Sequence, residues 1–283
     1  MTTCRIRVVR DTPSTGAYEW AIMDGKQAVL DSGAAPLRQP PGGACELLIA
    51  NDLVLLDRIP APAAQQRRIA SALRFLVEDS AIPDPERLHV AAAGASARDT
   101  VSVGIVDRQW MEQMLARLER AGLVARSAYP ESLLPDLLPR AWTVVWNADG
   151  GFARTAQMEG FALDRSDQGG LPVALRLAMN AARASASVPE RLVLRVAVDV
   201  APPDAEKWSA ALGIPVESGP AWRWTDAWRD PGLDLLQGEF APRSIERGWM
   251  RALRRPAILA GALAIVGVSG IAADWGAKAH ERR

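Results

Sequence analysis

Apolar and polar positions alternate along the first part of the chain in a pattern typical of β-strands. The stretch CRIRVVR has this period of two, and a loop is predicted after it at DTPSTG. In YEWAIMDGKQAVL, two apolar runs flank Asp24-Gly25, a dipeptide that favours tight turns, and this predicts a β-hairpin. After a loop rich in proline and glycine, CELLIA and LVLLDRIP predict further strand. The chain therefore begins with a sheet that starts from a hairpin.

Two later stretches have the period of amphipathic helices. In residues 65–80, an apolar face lies opposite arginines and carboxylates and holds Ile69, Ala72, Leu73, Leu76 and Val77. In DRQWMEQMLARLERAGL, Asp107 is the expected N-cap and Gly122 the expected stop. The buried stripe of this second helix is expected to hold Trp110, Met111, Met114, Leu115 and Leu118.

The same succession of patterns then starts again. AWTVVWNADGGFARTAQMEGFAL predicts a second hairpin, turning at Asp149-Gly150-Gly151. A helix at PVALRLAMNAARAS, a strand at RLVLRVAVD and a helix at DAEKWSAALG follow. Two α/β halves that each begin with a hairpin predict a duplicated actin-like (ribonuclease-H-like) domain. We place the halves at residues 1–139 and 140–242.

A stretch without charge lies close to the C-terminal end, from residue 257 to residue 273. Its length approaches that of a bilayer span, which predicts a transmembrane helix at residues 257–275 and a short periplasmic tail at 276–283. The segment before it, residues 243–256, is basic through Arg247, Arg251, Arg254 and Arg255. Trp249 and Trp275 occupy positions expected at the membrane interface, and the arginines place the N-terminal part in the cytoplasm. The alternative is a soluble protein in which this stretch is a buried core helix.

The charge balance excludes a general attraction to nucleic acid. Lysine plus arginine equals aspartate plus glutamate, at 33 each, so any basic contact must be local. The two cysteines, Cys4 and Cys45, lack the spacing of a redox or zinc site and are too few for a disulfide framework. No secretory signal precedes the first strand. These features predict a reduced, cytoplasmic location for the folded part.

Few residues are candidates for catalytic chemistry. Asp11 and Asp149 occupy the hairpin turns in which an actin-like ATPase would hold phosphate and metal. Pro13 removes a backbone donor from the first turn, and no P-loop or dinucleotide fingerprint occurs in the chain. We therefore expect no enzyme activity, no cofactor and no metal. A divergent actin-like ATPase or nucleotide-binding regulator is the alternative.

The histidine and tryptophan residues do not change this expectation. His89 lacks accompanying metal-ligand or nucleophile motifs, which favours a structural histidine. Trp222, Trp224 and Trp228 in AWRWTDAWRD favour core packing or a contact patch over a cofactor site, because aromatic side chains are first of all large apolar surfaces.

Three segments resemble type II secretion system protein L. They are RRIASALRFLVEDSAIPDPERLHVA, VGIVDRQWMEQMLARLERAGL with YPESLLP after it, and LDLLQGEFAPR ahead of the arginine-rich stretch and the hydrophobic run. The resemblance implies an actin-like cytoplasmic domain without a working ATPase, which recruits the secretion ATPase, protein E, to the bacterial inner membrane. It also implies protein M and other platform proteins as partners, and a homodimer. The family's periplasmic ferredoxin-like domain has no counterpart in the ten residues after Ala273.

A partner surface is predicted on the polar face of the helix at residues 65–80. Its members are Arg67, Arg68, Arg74, Phe75, Glu78 and Asp79. An aromatic residue among arginines has the composition of interface centres, which suggests docking of the ATPase. The alternative is a solvated charged face.

Overall fold

Two of the three sheets repeat the same strand order. The computed structural model describes residues 2–34, 44–60, 85–93, 100–148, 150–164, 170–226 and 231–242. The first sheet has the order β3-β2-β1-β4-β8. Its strands are β1 (Thr3–Val8), β2 (Tyr18–Met23), β3 (Val29–Ala34), β4 (Ala44–Ile49) and β8 (Val124–Pro130).

The second sheet has the order β11-β10-β9-β12-β13. Its strands are β9 (Ala141–Trp146), β10 (Phe152–Ala156), β11 (Glu159–Ala162), β12 (Arg191–Val196) and β13 (Val216–Ser218). In both sheets three antiparallel strands lead into two parallel ones. This correspondence confirms the duplicated, actin-like α/β arrangement predicted from the two hairpins. The predicted boundary at residues 138–140 lies between β8 and β9, which belong to different sheets.

A third sheet was not predicted from the sequence. Strands β5 (Leu55–Pro60), β7 (Thr100–Asp107) and β6 (Leu88–Ala92) form it in that order, all antiparallel. It is inserted in the first half, between β4 and β8. The sequence predicts strand at LVLLDRIP, but the pairing of this strand with TVSVGIVD joins residues 40 to 50 positions apart, such as Leu55 and Ile105.

Four helices lie among the described residues, and three of them match the predictions. They are α1 (Thr12–Thr15), α2 (Arg108–Arg120), α3 (Val173–Ala184) and α4 (Ala205–Leu212). Helix α2 begins as predicted, because the Asp107 side chain accepts from the backbone N–H of Trp110 at 2.7 Å. The predicted loop at DTPSTG is instead the single turn α1, which Gly16 ends in the left-handed conformation.

Each half has its own core. In the first half, Met111, Met114 and Leu118 of α2 pack against one face of β1 and β4. Trp110 and Leu115, also predicted to be buried, are half-buried. In the second half, α3 and α4 pack against β9 and β12. A third cluster joins the two halves through Leu48, Leu134, Val145, Phe152 and Trp222.

The described helices do not include a membrane span. None of them is long and apolar enough to cross a bilayer. Met1–Phe240 form one compact unit and Ala241–Arg283 form a second. The predicted helices at 65–80 and 257–275, the basic segment with Arg247, Arg251, Arg254 and Arg255, and both Trp249 and Trp275 lie outside the described residues.

Candidate functional site

The corresponding turns of the two sheets line a common cavity. The β1–β2 connection contributes Asp11, and the β9–β10 turn contributes Asn147 and Gly151, to a cavity of about 300 Å³. Gly151 has a φ of +112°, and a side chain there would collide with the carbonyl oxygen of Val145. We call this space the Asp11 cavity. The fold thus brings Asp11 to the turn that contains Asp149, although Asp149 itself lies outside the described residues.

The backbone donors of the first turn are already used within the turn. The Asp11 carbonyl accepts from the N–H groups of Ser14 and Thr15 at 3.1 and 2.9 Å. The N–H of Thr12 bonds to Val9, that of Gly16 to Thr12, and that of Ala17 to the Thr15 hydroxyl. Pro13 has no N–H. A phosphate held by this turn would need free N–H groups, and the turn offers none between residues 12 and 17.

Acceptor oxygens dominate the rest of the Asp11 cavity. Arg7 donates from Nε to Oε1 of Glu131 at 2.9 Å, and Arg10 from Nε to Asp52 at 3.1 Å. Glu131 is only 1% exposed, and burial raises the pKa of its carboxyl although Arg7 opposes this. Its Oε2 and the Oδ1 of Asn51 have no hydrogen-bond partner among the described residues. Both arginines are thus committed to carboxylates, and the cavity is poorly suited to an anion.

Tryptophans line a second and larger cavity, of about 640 Å³, which shares Arg7, Glu131 and Asn147 with the first. Trp222 is buried and meets Phe152 edge to face, with 5.6 Å between ring centroids, while the Arg195 guanidinium lies 4.9 Å from the Trp222 ring centroid. The backbone N–H of Trp222 also donates to the carbonyl oxygen of Val196 at 2.7 Å. The prediction of core packing is therefore confirmed for Trp222. Trp224 is half-buried on the cavity wall, and Trp228 lies outside the described residues.

The segment LDLLQGEF, residues 233–240, is anchored to the first half. Its Leu235 N–H donates to the Ala128 carbonyl at 2.7 Å, and the Asp234 carboxylate accepts from the Ala128 N–H at 2.9 Å. The Gln237 amide bonds to both backbone groups of Ala92, at 3.1 and 2.8 Å. We call residues 233–240 the LDLLQGEF segment. Through these hydrogen bonds it connects β8 of the first sheet to β6 of the inserted sheet.

His89 has a structural role in holding the same segment. Its Nε2 donates to the Leu235 carbonyl at 2.7 Å, and its ring meets Phe240 edge to face. The side chain is 6% exposed, which agrees with the predicted structural histidine. Within the described part of the chain, no group of three or more His, Cys, Asp or Glu side chains could hold a metal ion.

Sequence reasoning missed the Arg7–Glu131 ion pair, whose members are 124 positions apart. One signal was available, because Glu131 lies in the largely apolar stretch Tyr129–Pro135, where a carboxylate needs a partner if it is buried. The predicted partner surface, Arg67, Arg68, Arg74, Phe75, Glu78 and Asp79, lies outside the described residues.

Comparison with known proteins gives a consistent result. The model of the family "Type II secretion system (T2SS), protein L" matches residues 14–243. A Pseudomonas aeruginosa protein of that name is 26% identical over 242 residues, covering 82% of this chain and 54% of the relative. A Vibrio cholerae protein of that name is 27% identical over 118 residues, covering 42% of this chain and 28% of the relative. The matches thus span about half or less of these relatives.

Two solved structures share the fold. The cytoplasmic domain of EpsL, an inner membrane component of the type II secretion system of Vibrio cholerae, has a TM-score of 0.63 at 18% identity and covers 85% of this chain and 100% of that domain. A chain of the PilM–PilN type IV pilus biogenesis complex has a TM-score of 0.51 at 16% identity, covering 81% and 90%. At identities of 18% and 16%, the similarity shows a shared fold.

Proposed function

Because the chain belongs to the type II secretion system protein L family, we propose that it is a scaffold that recruits the secretion ATPase, protein E, to the inner membrane. Membership of the family supports a role in type II secretion. The ATPase as partner comes from the family resemblance of the sequence, as do protein M, other platform proteins and a second copy of the chain.

One structural observation favours a scaffold over an enzyme that hydrolyses nucleotides. The N–H groups of the turn from Thr12 to Ala17 are bonded within that turn or to Val9. Binding phosphate there would break several of these bonds, each worth about 0.5–1.5 kcal/mol net. An actin-like fold that has lost its phosphate cradle remains useful as a rigid binding platform.

The proposed cellular location rests on a related structure and on the charge pattern of the sequence. The related EpsL structure is described as the cytoplasmic domain of an inner membrane component. We infer that residues 1–255 are cytoplasmic here too, with an anchor at residues 257–275. Arg247, Arg251, Arg254 and Arg255 support this orientation, since positive charges stay on the cytoplasmic side.

For the ATPase contact we propose the polar face of residues 65–80. Phe75 would be the apolar anchor, with Arg74 beside it to pair with acidic groups. The test is a binding titration of the full chain with the purified ATPase, comparing the unchanged protein with the double variant Phe75→Ala, Arg74→Ala. If these are hot-spot residues, binding weakens by roughly 1 to 3 kcal/mol.

The matched control is the double variant Leu177→Ala, Arg176→Ala. It removes the same kind of apolar and basic pair from the exposed face of α3. Circular dichroism confirms that both variants fold. Unchanged affinity in a folded Phe75 variant would assign that face to solvent, and weaker binding of the control would move the contact to α3. Absence of binding by the unchanged chain would contradict the recruitment role itself.

A further inference from the structure

The cleft between the two halves holds more carboxyl groups than basic groups. The Asp11 cavity and the larger tryptophan-lined cavity adjoin in this cleft, since they share three lining residues. Its guanidinium groups belong to Arg7, Arg10 and Arg223. Its carboxyl groups belong to Asp11, Glu19, Asp52, Glu131 and Asp226. No lysine or histidine of the described ranges lines either cavity. Carboxylates outnumber guanidiniums even when Glu131 holds a proton.

Two of the arginines are already paired with carboxylates. The Arg7 guanidinium lies between two of them, with Nε 2.9 Å from Glu131 Oε1 and Nη1 3.6 Å from Glu19 Oε2. Arg10 is paired with Asp52 at 3.1 Å. The Asp11 side chain, by contrast, makes no capping hydrogen bond in α1 and no ion pair with any described residue. The negative charge of Asp11 is therefore available to a ligand of positive charge.

Two buried acceptors in the wall of the Asp11 cavity also lack donors. Glu131 and Asn51 both line this cavity, and neither Glu131 Oε2 nor Asn51 Oδ1 has a hydrogen-bond partner among the described residues. Buried acceptors without a donor are costly. Both oxygens are covered by neighbouring atoms, so the side chains must rotate slightly to meet a ligand. A guanidinium suits them best, because it carries five N–H donors and no acceptor.

Aromatic and aliphatic side chains from both halves form the walls of the larger cavity. Trp20 is held at the edge of the first sheet, where its indole N–H donates to a carbonyl of β3 at 3.4 Å. A side chain on Gly33 would come within 2.9 Å of this indole, so the glycine leaves the ring open. Trp224 is half-buried on the second half. Val29 and Val198 line the cavity from opposite halves, and each is 42% exposed. A ligand that covers these apolar groups gains free energy.

The size and the backbone of the cleft favour a short peptide segment as this ligand. A volume of about 640 Å³ is in the range of ligand pockets and is too small for a folded domain. Strand β3 lines the cavity, pairs with β2 alone and stands at the end of its sheet. The Ser32 N–H is bonded to the Asp31 carboxylate at 2.9 Å. The other unpaired backbone groups of this edge can bond to an extended peptide.

We propose that the cleft binds a short extended segment of a partner protein in which an arginine is flanked by apolar residues. The arginine enters the Asp11 cavity beside Asp11, and its apolar neighbours cover Trp20, Trp224 and the two exposed valines. A cleft that offers no phosphate cradle thereby serves protein recognition. This contact is separate from the polar face of residues 65–80, so it and the ATPase contact proposed there can fail independently.

The test is a selection from a phage-displayed library of random heptapeptides against the full chain in detergent micelles. The selected heptapeptides should carry an arginine next to apolar residues. Synthetic copies are then titrated against the unchanged chain and two variants, Asp11→Lys and Val198→Lys, which alter the cleft from opposite halves. Each variant should weaken binding by about 10-fold or more. Replacing the arginine of the peptide with glutamate should abolish binding.

The matched controls are Glu119→Lys on α2 and Leu177→Lys on α3. They make the same kinds of change at exposed positions that do not line the cleft, so both should bind like the unchanged chain. Circular dichroism checks that all four variants fold. No enrichment of peptides, enrichment of peptides without arginine, binding that survives both cleft variants, or equal weakening by the controls would each overturn the proposal. Full displacement by an equal concentration of free arginine would also overturn it and would identify a small organic cation as the ligand.

Discussion

At the scale of single residues, Cys4 and Cys45 lie opposite each other on the parallel strands β1 and β4. Burial raises the pKa of Cys4 to about 11 and that of Cys45 to about 12. The thiolate is the reactive form, so neither thiol should react with DTNB in the folded protein near pH 8. In urea both should react. Rapid modification of the native chain would contradict this assignment.

Glu131 should make stability depend on pH. Its pKa is raised in the folded state, mainly by burial, so the unfolded chain loses this proton first as pH rises. The contribution to the free energy of unfolding is therefore intact below the ordinary glutamate pKa and is lost as pH rises through the folded value. Glu131→Gln should flatten the fall of the urea midpoint as pH rises above the ordinary glutamate pKa.

The control for Glu131 is Glu112→Gln, at an exposed position on α2. It should leave the pH profile as it is in the unchanged chain. The urea midpoint could instead change with pH equally in the unchanged chain and in Glu131→Gln. That result would show that pairing with Arg7 fully offsets the cost of burying the Glu131 carboxylate.

At the scale of elements, the LDLLQGEF segment should contribute to stability through Gln237. This side chain bonds to Ala92 N–H and C=O and to the Asp234 carbonyl. Gln237→Ala removes these bonds and should lower the free energy of unfolding by about 1–3 kcal/mol. Gln113→Ala, at an exposed position on α2, should change it little. Chemical unfolding of the full chain measures both. A Gln237 variant as stable as the control would mean that water replaces the lost bonds.

At the scale of the whole molecule, the cleft between the halves should not turn over nucleotide. The first turn uses its own N–H groups, and the arginines of the Asp11 cavity are paired with carboxylates. We expect no ATP hydrolysis above background and at most weak nucleotide binding. A turnover that disappears in Asp11→Ala or Asp149→Ala would restore the alternative of a divergent ATPase.

The proposed anchor at residues 257–275 predicts how the protein fractionates. The charge-free stretch and the arginines before it should place the chain in the inner membrane with residues 1–255 on the cytoplasmic side. Protease added to spheroplasts should then leave this part intact, with a periplasmic protein as the digestion control. Digestion of the N-terminal part would reverse the orientation, and recovery in the soluble fraction would favour the buried core helix.

The sequence by itself determined the elements whose signals are local. The turn at Asp24-Gly25 and the N-cap of α2 at Asp107 depend on residues within a few positions of each other. The duplicated plan could also be predicted, because each half repeats the same order of local signals. The one-turn helix Thr12–Thr15 escaped prediction, since four residues are too few to show a period.

Only the tertiary structure decided which distant residues meet. It paired β5 with β7 in a third sheet, joined Arg7 to Glu131, and placed Leu235 against His89, 146 positions away. Such contacts gain their energy from burial and from partners that the chain supplies far along its length, so no local pattern specifies them. The exposed edge of β3 has the same origin. The alternation of a strand is local, but whether a neighbour covers its edge depends on the order of the whole sheet.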